Sequence, residues 1–310
     1  MEKYSFKNNQ NSTIAYYKWG NNKNPKAIIQ LVHGMSEWVG RYDYFANKLV
    51  EEGYIVYGND HYGHGKSSDS IEKLGYLNGE NKFYTMLEDI KDLNNIIKNE
   101  NDNIPIVLFG HSMGSFLSQR YLEEYGESIS GLILSGTNGK PKNFTKLGLL
   151  ICKIEMLFKG KGNRSKLMDK LSFGDFNSSV ESAETDFDWL SRDSKEVNKY
   201  IKEELCGFIY PTEFYYDLIN GIWDVHKEEN LKKIKKIEIP IYIFAGDRDP
   251  VGYFGKGIIN LYNSYKKIGV KDLNYKLFKD GRHEMLNEIN KDEVIKDTIN
   301  WLNNHNFKKC

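Results

Sequence analysis

Short, nearly unbroken apolar runs punctuate this chain and narrow the architectures open to it. They read "AIIQLVHG" (residues 27–34), "YIVYGND" (54–60), "IPIVLFG" (104–110), "GLILSG" (131–136), "IPIYIFAG" (239–246) and "NYKLFKDG" (274–281). A strand with one wet face alternates, whereas an unbroken run needs cover on both faces, as in a parallel sheet sandwiched by helices. Helical stripes lie between the runs where such a sheet needs its crossovers. "FYTMLEDIKDLNNIIKNE" (83–100) places Phe83, Leu87, Ile90 and Ile97 on one side, and "KDEVIKDTINWLNN" (291–304) does the same with Ile295, Ile299 and Leu302. The expected class is therefore α/β, a doubly wound and mostly parallel sheet. The start differs: Tyr4, Phe6, Ile14 and Tyr16 flank "NNQNS", which predicts an antiparallel hairpin at the sheet edge.

Residues 138–236 show no strand pattern and are too long for a plain connection. They read as an inserted helical cap over the carboxyl ends of the strands, where open α/β sheets take their ligands. This assigns 1–137 and 237–310 to the core. Apolar residues at 40% suffice to build it, and 43 Lys plus Arg balance 43 Asp plus Glu. Without a basic excess there is nothing to neutralise a phosphate backbone, so no nucleic-acid partner is expected. Cys152, Cys206 and Cys310 lie far apart, a usage that points to a reducing compartment and shows no metal spacing. "MEKYSFKNNQNSTIAYYKWG" has no basic start leading into an apolar stretch, so no secretory signal is expected. The longest apolar cluster, "LGLLICKIEMLF" (147–158), is broken by Lys153 and Glu155 and is too short to cross a bilayer. A cytoplasmic protein is expected, with this amphipathic stretch as the place for transient contact with a membrane surface.

"FGHSMGS" (109–115) carries the chemistry. Gly110-His111-Ser112-Met113-Gly114 fits G-x-S-x-G, with a buried strand before it and a helical stretch after it. Such a turn strains the serine backbone and leaves no room for side chains two positions to either side. Ser112 is thus the candidate nucleophile, and it needs a base oriented by an acid. The order belonging to this motif is Ser, acid, His. "IFAGDRDPVG" offers Asp247 and Asp249, and "KLFKDGRHEML" offers His283. Asp249 is favoured as the acid because Pro250 keeps it extended, with Asp247 as the alternative that would serve the loop N–H groups. The backbone N–H of Met113 and of Met35, in "LVHGMSEWVGRY", are the expected oxyanion donors. His33 reads as structural. Asp60, His61 and His64 in "NDHYGHGKS" invite a metal reading, but no further ligand lies at metal spacing, so a structural loop is expected.

Taken in order, "HGMSEWVGRY", "DHYGHGKS", "GHSMGS", "AGDRDPV" and "GRHEML" resemble the α/β-hydrolase fold enzymes of the monoacylglycerol lipase and lysophospholipase group. The resemblance spans residues 16–302 and, in the cap, includes "ELCGFIYPTEFYYDL" (204–218). It implies cofactor-free hydrolysis of lipid-like carboxylic esters through an acyl-enzyme on Ser112, with Asp249 and His283 completing the triad and Met35 and Met113 the oxyanion hole. Ser36-Glu37-Trp38 departs from the group's common Gly-Glu-His and bears on the polar edge of the pocket. Phe173, Phe176, Phe208, Phe214 and Trp223 are candidates for an acyl channel. Two rivals remain: an aminopeptidase of the same fold, with Glu181, Glu184, Asp186 or Asp188 binding a free amine, and a binding module without catalysis.

Overall fold

A computed structural model describes residues 1–308; Cys310 lies outside them. Eight strands form one sheet: β1 (Glu2–Lys7), β2 (Thr13–Trp19), β3 (Ile28–Val32), β4 (Ile55–Asn59), β5 (Ile106–His111), β6 (Gly131–Ser135), β7 (Ile241–Gly246) and β8 (Leu273–Phe278). Their spatial order is β1-β2-β4-β3-β5-β6-β7-β8. The β1–β2 hairpin is antiparallel and sits at one edge, β2 pairs antiparallel with β4, and every other pair is parallel. The apolar runs thus become the strands expected of them. β8 is the exception in burial: as the other edge strand it leaves Asn274 and Tyr275 exposed, because one long side has no neighbour.

Helices cover both faces. Alternate residues of β5 point opposite ways, Ile106 and Leu108 into one core and Val107 and Phe109 into the other. The first core also takes Phe83, Leu87, Ile90 and Ile97, so the predicted stripe of α2 (Lys82–Glu100) is fully used. The second takes Phe45 and Leu49 of α1 (Asp43–Glu51).

α3 (Met113–Tyr125) follows β5 through Ser112, whose backbone lies at φ 52, ψ −121. Few L-residues adopt that conformation, and it persists only where neighbours enforce it. Here both flanking glycines are needed. A Cβ on Gly110 would strike Ser118 Oγ, and one on Gly114 would strike the carbonyl oxygens of Val32 and His33.

Between β6 and β7 the chain forms α4 (Lys146–Lys159), α5 (Lys166–Phe173), α6 (Ser194–Lys202), α7 (Thr212–Val225) and α8 (Glu228–Ile234), with no strand among them. α9 (Lys256–Ile268) and α10 (Lys291–Asn303) complete the core, and Ile295, Ile299 and Leu302 of α10 are buried as expected. The apolar stripe of α4 is turned outward: Leu147, Leu150, Ile154, Leu157 and Phe158 are exposed, the last by 81%, while Cys152 and Glu155 face inward. Among the described residues no helix is long and apolar enough to cross a membrane.

Gly114→Ala is expected to lower stability by ~1–3 kcal/mol through backbone displacement. A reduced urea midpoint with an unchanged denaturant slope checks this.

Candidate active site

Three loops, at the carboxyl ends of β3, β5 and β8, meet in one cavity of about 430 Å³, lined among others by Gly34, Met35, His111, Ser112 and His283. Ser112 is aimed into it by the strained turn. Asp249, wholly buried, follows β7 in the turn made by Pro250. Its Oδ1 accepts the Val251 N–H at 2.9 Å and lies 3.0 Å from His283 Nδ1. Since a carboxylate only accepts, Nδ1 carries the hydrogen and Nε2 keeps its lone pair for the cavity side. Asp247 is set apart, its side chain 36% exposed and within 4.0 Å of Arg248. The two aspartates are therefore distinguished by geometry: Asp249 touches the imidazole.

His283 is also held from the inserted segment. Its N–H donates to the Trp189 carbonyl at 3.3 Å, and the Glu284 N–H donates to Leu190 at 2.7 Å. The ring lies 5.1 Å from that of Trp189 and 4.8 Å from that of His111. Burial alone would lower the His283 pKa, but the charge and hydrogen bond of Asp249 outweigh it, so the pKa is raised. His111, equally buried and beside another imidazole, has no carboxylate bonded to it, and burial outweighs the more distant charge of Glu284 and pushes it down to about 3. It remains neutral.

Two backbone donors flank the serine. The Met113 N–H opens α3, where the first N–H groups have no acceptor within the helix. The Met35 N–H lies between two engaged neighbours. Gly34 N–H donates to Glu37 Oε1 at 2.6 Å and Ser36 N–H to Tyr210 Oη at 2.7 Å, whereas Met35 N–H has no partner among the described residues. Glu37 is itself fixed by Arg41, which also forks onto Glu284 at 2.6 and 2.7 Å, joining the Met35 loop to the His283 loop. Burial alone would raise the Glu284 pKa, but Arg41 outweighs it and holds this carboxyl low, at about 2.

The "NDHYGHGKS" loop is structural. Asp60 accepts from Val39 N–H, Lys66 N–H and Tyr17 Oη, and the His61 N–H donates to His33 Nε2 at 2.9 Å. His64 is paired with Tyr210 and the Tyr62 carbonyl.

Of the five aromatics picked out from sequence, Phe173 and Phe208 line the cavity. Phe176 packs on Trp189 instead, Phe214 stacks on Tyr210 at 3.9 Å between ring centres, and Trp223 donates to Thr145. Phe187, Trp189, Leu190 and Tyr200 line the wall as well. They come from irregular loops and helix ends, where no periodicity marks a facing side. Of the acidic candidates, Asp186 reaches the cavity, joined by Asp169, which sequence reasoning missed. Asp188 is occupied by Thr185 and the Glu184 N–H, while Glu181 and Glu184 are exposed and do not line the cavity.

The monoacylglycerol lipase of Mycolicibacterium smegmatis is 24% identical over 94% of this chain and 93% of its own. The monoglyceride lipase of Rattus norvegicus is 25% identical over 92% of this chain and 84% of its own. Among solved structures, a highly thermostable carboxyl esterase from Bacillus coagulans, in complex with glycerol, superposes with a TM-score of 0.88 at 30% identity, covering 97% of each chain. The profile of the family described as "Serine aminopeptidase, S33" matches residues 23–290. A strained serine between β5 and α3, an aspartate–histidine pair at the ends of later strands and that match over most of the chain place this protein in the S33 family of α/β hydrolases.

Proposed function

We propose that the chain hydrolyses carboxylic monoesters of lipid-like alcohols, monoacylglycerols or lysophospholipids, through an acyl-enzyme on Ser112. One observation carries the reading: an imidazole polarised by a buried carboxylate at 3.0 Å shares its cavity with a serine held in a strained turn. His283 Nε2 takes the Ser112 proton as Oγ attacks the ester carbonyl. The oxyanion is received by Met35 and Met113 N–H, and His283 returns the proton to the leaving alcohol. Water, deprotonated by the same imidazole, then releases the acid. Residues 138–236 act as the cap over this cavity, where Phe173, Phe187, Trp189 and Phe208 offer an apolar wall for an acyl chain. The lipases among the relatives and the glycerol in the Bacillus coagulans esterase support a glyceryl head group.

A second reading has its own observation. Asp169 and Asp186 at the cavity wall suit a substrate with a free amine, and the family's description names an aminopeptidase. Monoolein and a nitrophenyl butyrate tested beside an aminoacyl anilide separate the two. Ester turnover with little anilide turnover is expected, together with fluorophosphonate labelling. Both signals should fall by at least about 10⁴-fold in Ser112→Ala. Efficient anilide cleavage without esterase activity would favour the peptidase.

The raised pKa of His283 sets the pH dependence. Ester hydrolysis needs the neutral imidazole, so kcat/KM should fall as pH drops through a value above 6.5, the ordinary histidine pKa. Asp249→Asn removes the stabilising charge and leaves the burial. The acid limb should then shift to lower pH while the plateau falls by about 10⁴-fold. A pH profile of both proteins on one activated ester checks the sign and the order.

The outward stripe of α4 serves to collect substrate from an anionic membrane surface. Phe144, Leu147, Leu157 and Phe158 are exposed beside Lys146, Lys153, Lys159, Lys166 and Lys170, and of the acidic residues in α4 and α5 Glu155 is buried and Asp169 half-buried. Apolar burial and charge attraction thus act on the same face. Phe158→Glu with Leu157→Glu should reduce co-sedimentation with phosphatidylglycerol vesicles, and turnover of monoolein in them, at least about tenfold, while activity on a soluble nitrophenyl ester stays the same. Equal sedimentation of both proteins would remove this role.

A further inference from the structure

The loop that carries Met35 turns through Ser36, whose φ is 54. A serine stays in this left-handed conformation only where its surroundings over-determine it. Here they all come from the inserted segment. Ser36 N–H donates to Tyr210 Oη at 2.7 Å and Ser36 Oγ donates to the Phe208 carbonyl at 2.9 Å. The Ser36 carbonyl accepts the Gly207 N–H at 3.0 Å and the Tyr200 hydroxyl at 3.1 Å. Every polar group of Ser36 is engaged by residues 200–210.

The chain of donors continues into the core. Having accepted from Ser36, Tyr210 Oη donates its own hydrogen to His64 Nε2 at 2.6 Å, and His64 Nδ1–H reaches the Tyr62 carbonyl at 3.0 Å. This order requires a neutral His64, and burial lowers its pKa to about 4. Tyr210 is wholly buried and cannot exchange its partners for water. On the far side of Met35, Glu37 clamps the Gly34 N–H at 2.6 Å. The Met35 N–H is the unengaged donor between two clamped ones.

We propose that Tyr210 and Tyr200 are positioning residues for the reaction. By fixing Ser36 they aim the Met35 N–H at the oxygen that becomes negative, so the inserted segment completes the oxyanion site and a shift of that segment dismantles it. The proposal rests on the reading of Ser112 as nucleophile and of Met35 as oxyanion donor. It assigns Ser36, at the position where the resembling group has glycine, a bond to the Phe208 carbonyl that glycine cannot make.

The test uses Tyr210→Phe, Tyr200→Phe and Ser36→Ala in the full chain, with nitrophenyl butyrate as substrate. Rates are expressed per site titrated by a fluorophosphonate. A trifluoromethyl ketone, which adds Ser112 Oγ to its carbonyl and leaves an oxyanion in the same place, supplies a second readout. Tyr210→Phe is expected to lower kcat by about 10- to 100-fold with KM within about twofold. Affinity for the ketone should fall by the same factor, because both report binding of the oxyanion. Tyr200→Phe and Ser36→Ala, each losing one of the four bonds, should show the same pattern at smaller size. A merely structural tyrosine would lower the titratable fraction or the melting temperature and leave kcat per site and ketone affinity unchanged, and that result overturns the proposal. If Tyr210→Phe does not fold, the other two variants decide by the same criterion. A wild-type protein that reacts with neither the fluorophosphonate nor the ester would bring down the reading of Ser112 itself, and this proposal with it.

Discussion

The turn at Ser112 is the constraint around which the other parts are arranged. Its backbone is held where α3 packs close against the carbonyl groups of Val32, at the end of β3, and of His33, just after it. That closeness demands glycine at 114 and brings the end of β3, and with it Met35, beside the serine, while glycine at 110 makes room for Ser118 and the Gly114 carbonyl of α3 itself. The parallel arrangement then delivers the loops after β7 and β8 to the same edge, so Asp249 and His283 arrive without any long excursion. Local strain, sheet polarity and the meeting of distant residues are one fact seen at three scales.

Electrostatics separates the imidazoles that this packing buries. His33, His61, His64 and His111 are buried with amide, hydroxyl or imidazole neighbours, and burial lowers the pKa of each. His283 is no less buried, yet its pKa moves the other way because a carboxylate is bonded to it. Burial without a bonded carboxylate makes histidine a rigid, neutral hydrogen-bonding wedge, whereas a bonded carboxylate holds its pKa up. The Arg41 fork onto Glu37 and Glu284 works beside this pair as a buried brace between two loops that sequence separates by more than two hundred residues.

The core was legible because its strands are short, buried and bounded by glycine, and because the chemistry sits where those strands end. The stripes of α2 and α10 are legible from their periodicity, and Ser112, Met35 and His283 from their places after the strands, whereas Asp169, Phe187, Trp189 and Tyr200, which also line the cavity, are not. The apolar run of β8 predicts cover on both faces, but an edge strand has only one neighbour and shows it in Asn274 and Tyr275. The inserted segment resisted for a different reason. An amphipathic stripe reports that a helix has two unlike faces, not which one meets the protein, so the α4 stripe could not be assigned a direction. Its aromatic residues fared likewise: Phe208 and Phe214 lie six positions apart, one at the cavity and one stacked on Tyr210. Asp247 and Asp249 were separable only in degree, since both follow one strand and only the fold reveals which reaches the imidazole.

The helical insertion leaves the sheet at the end of β6 and returns at β7, and these two strands are hydrogen-bonded neighbours. Because the two strands run parallel, the segment leaves at the carboxyl edge of the sheet and re-enters at the amino edge, with both junctions anchored on rigid ground. A segment attached in this way can lengthen, shorten or be traded for a foreign one at small cost in loop-closure entropy. Ancestry could therefore rewrite what such an enzyme accepts while leaving Ser112, Asp249 and His283 undisturbed. The limit on that freedom is Ser36: any replacement would have to bring its own donors and acceptors to the same bend.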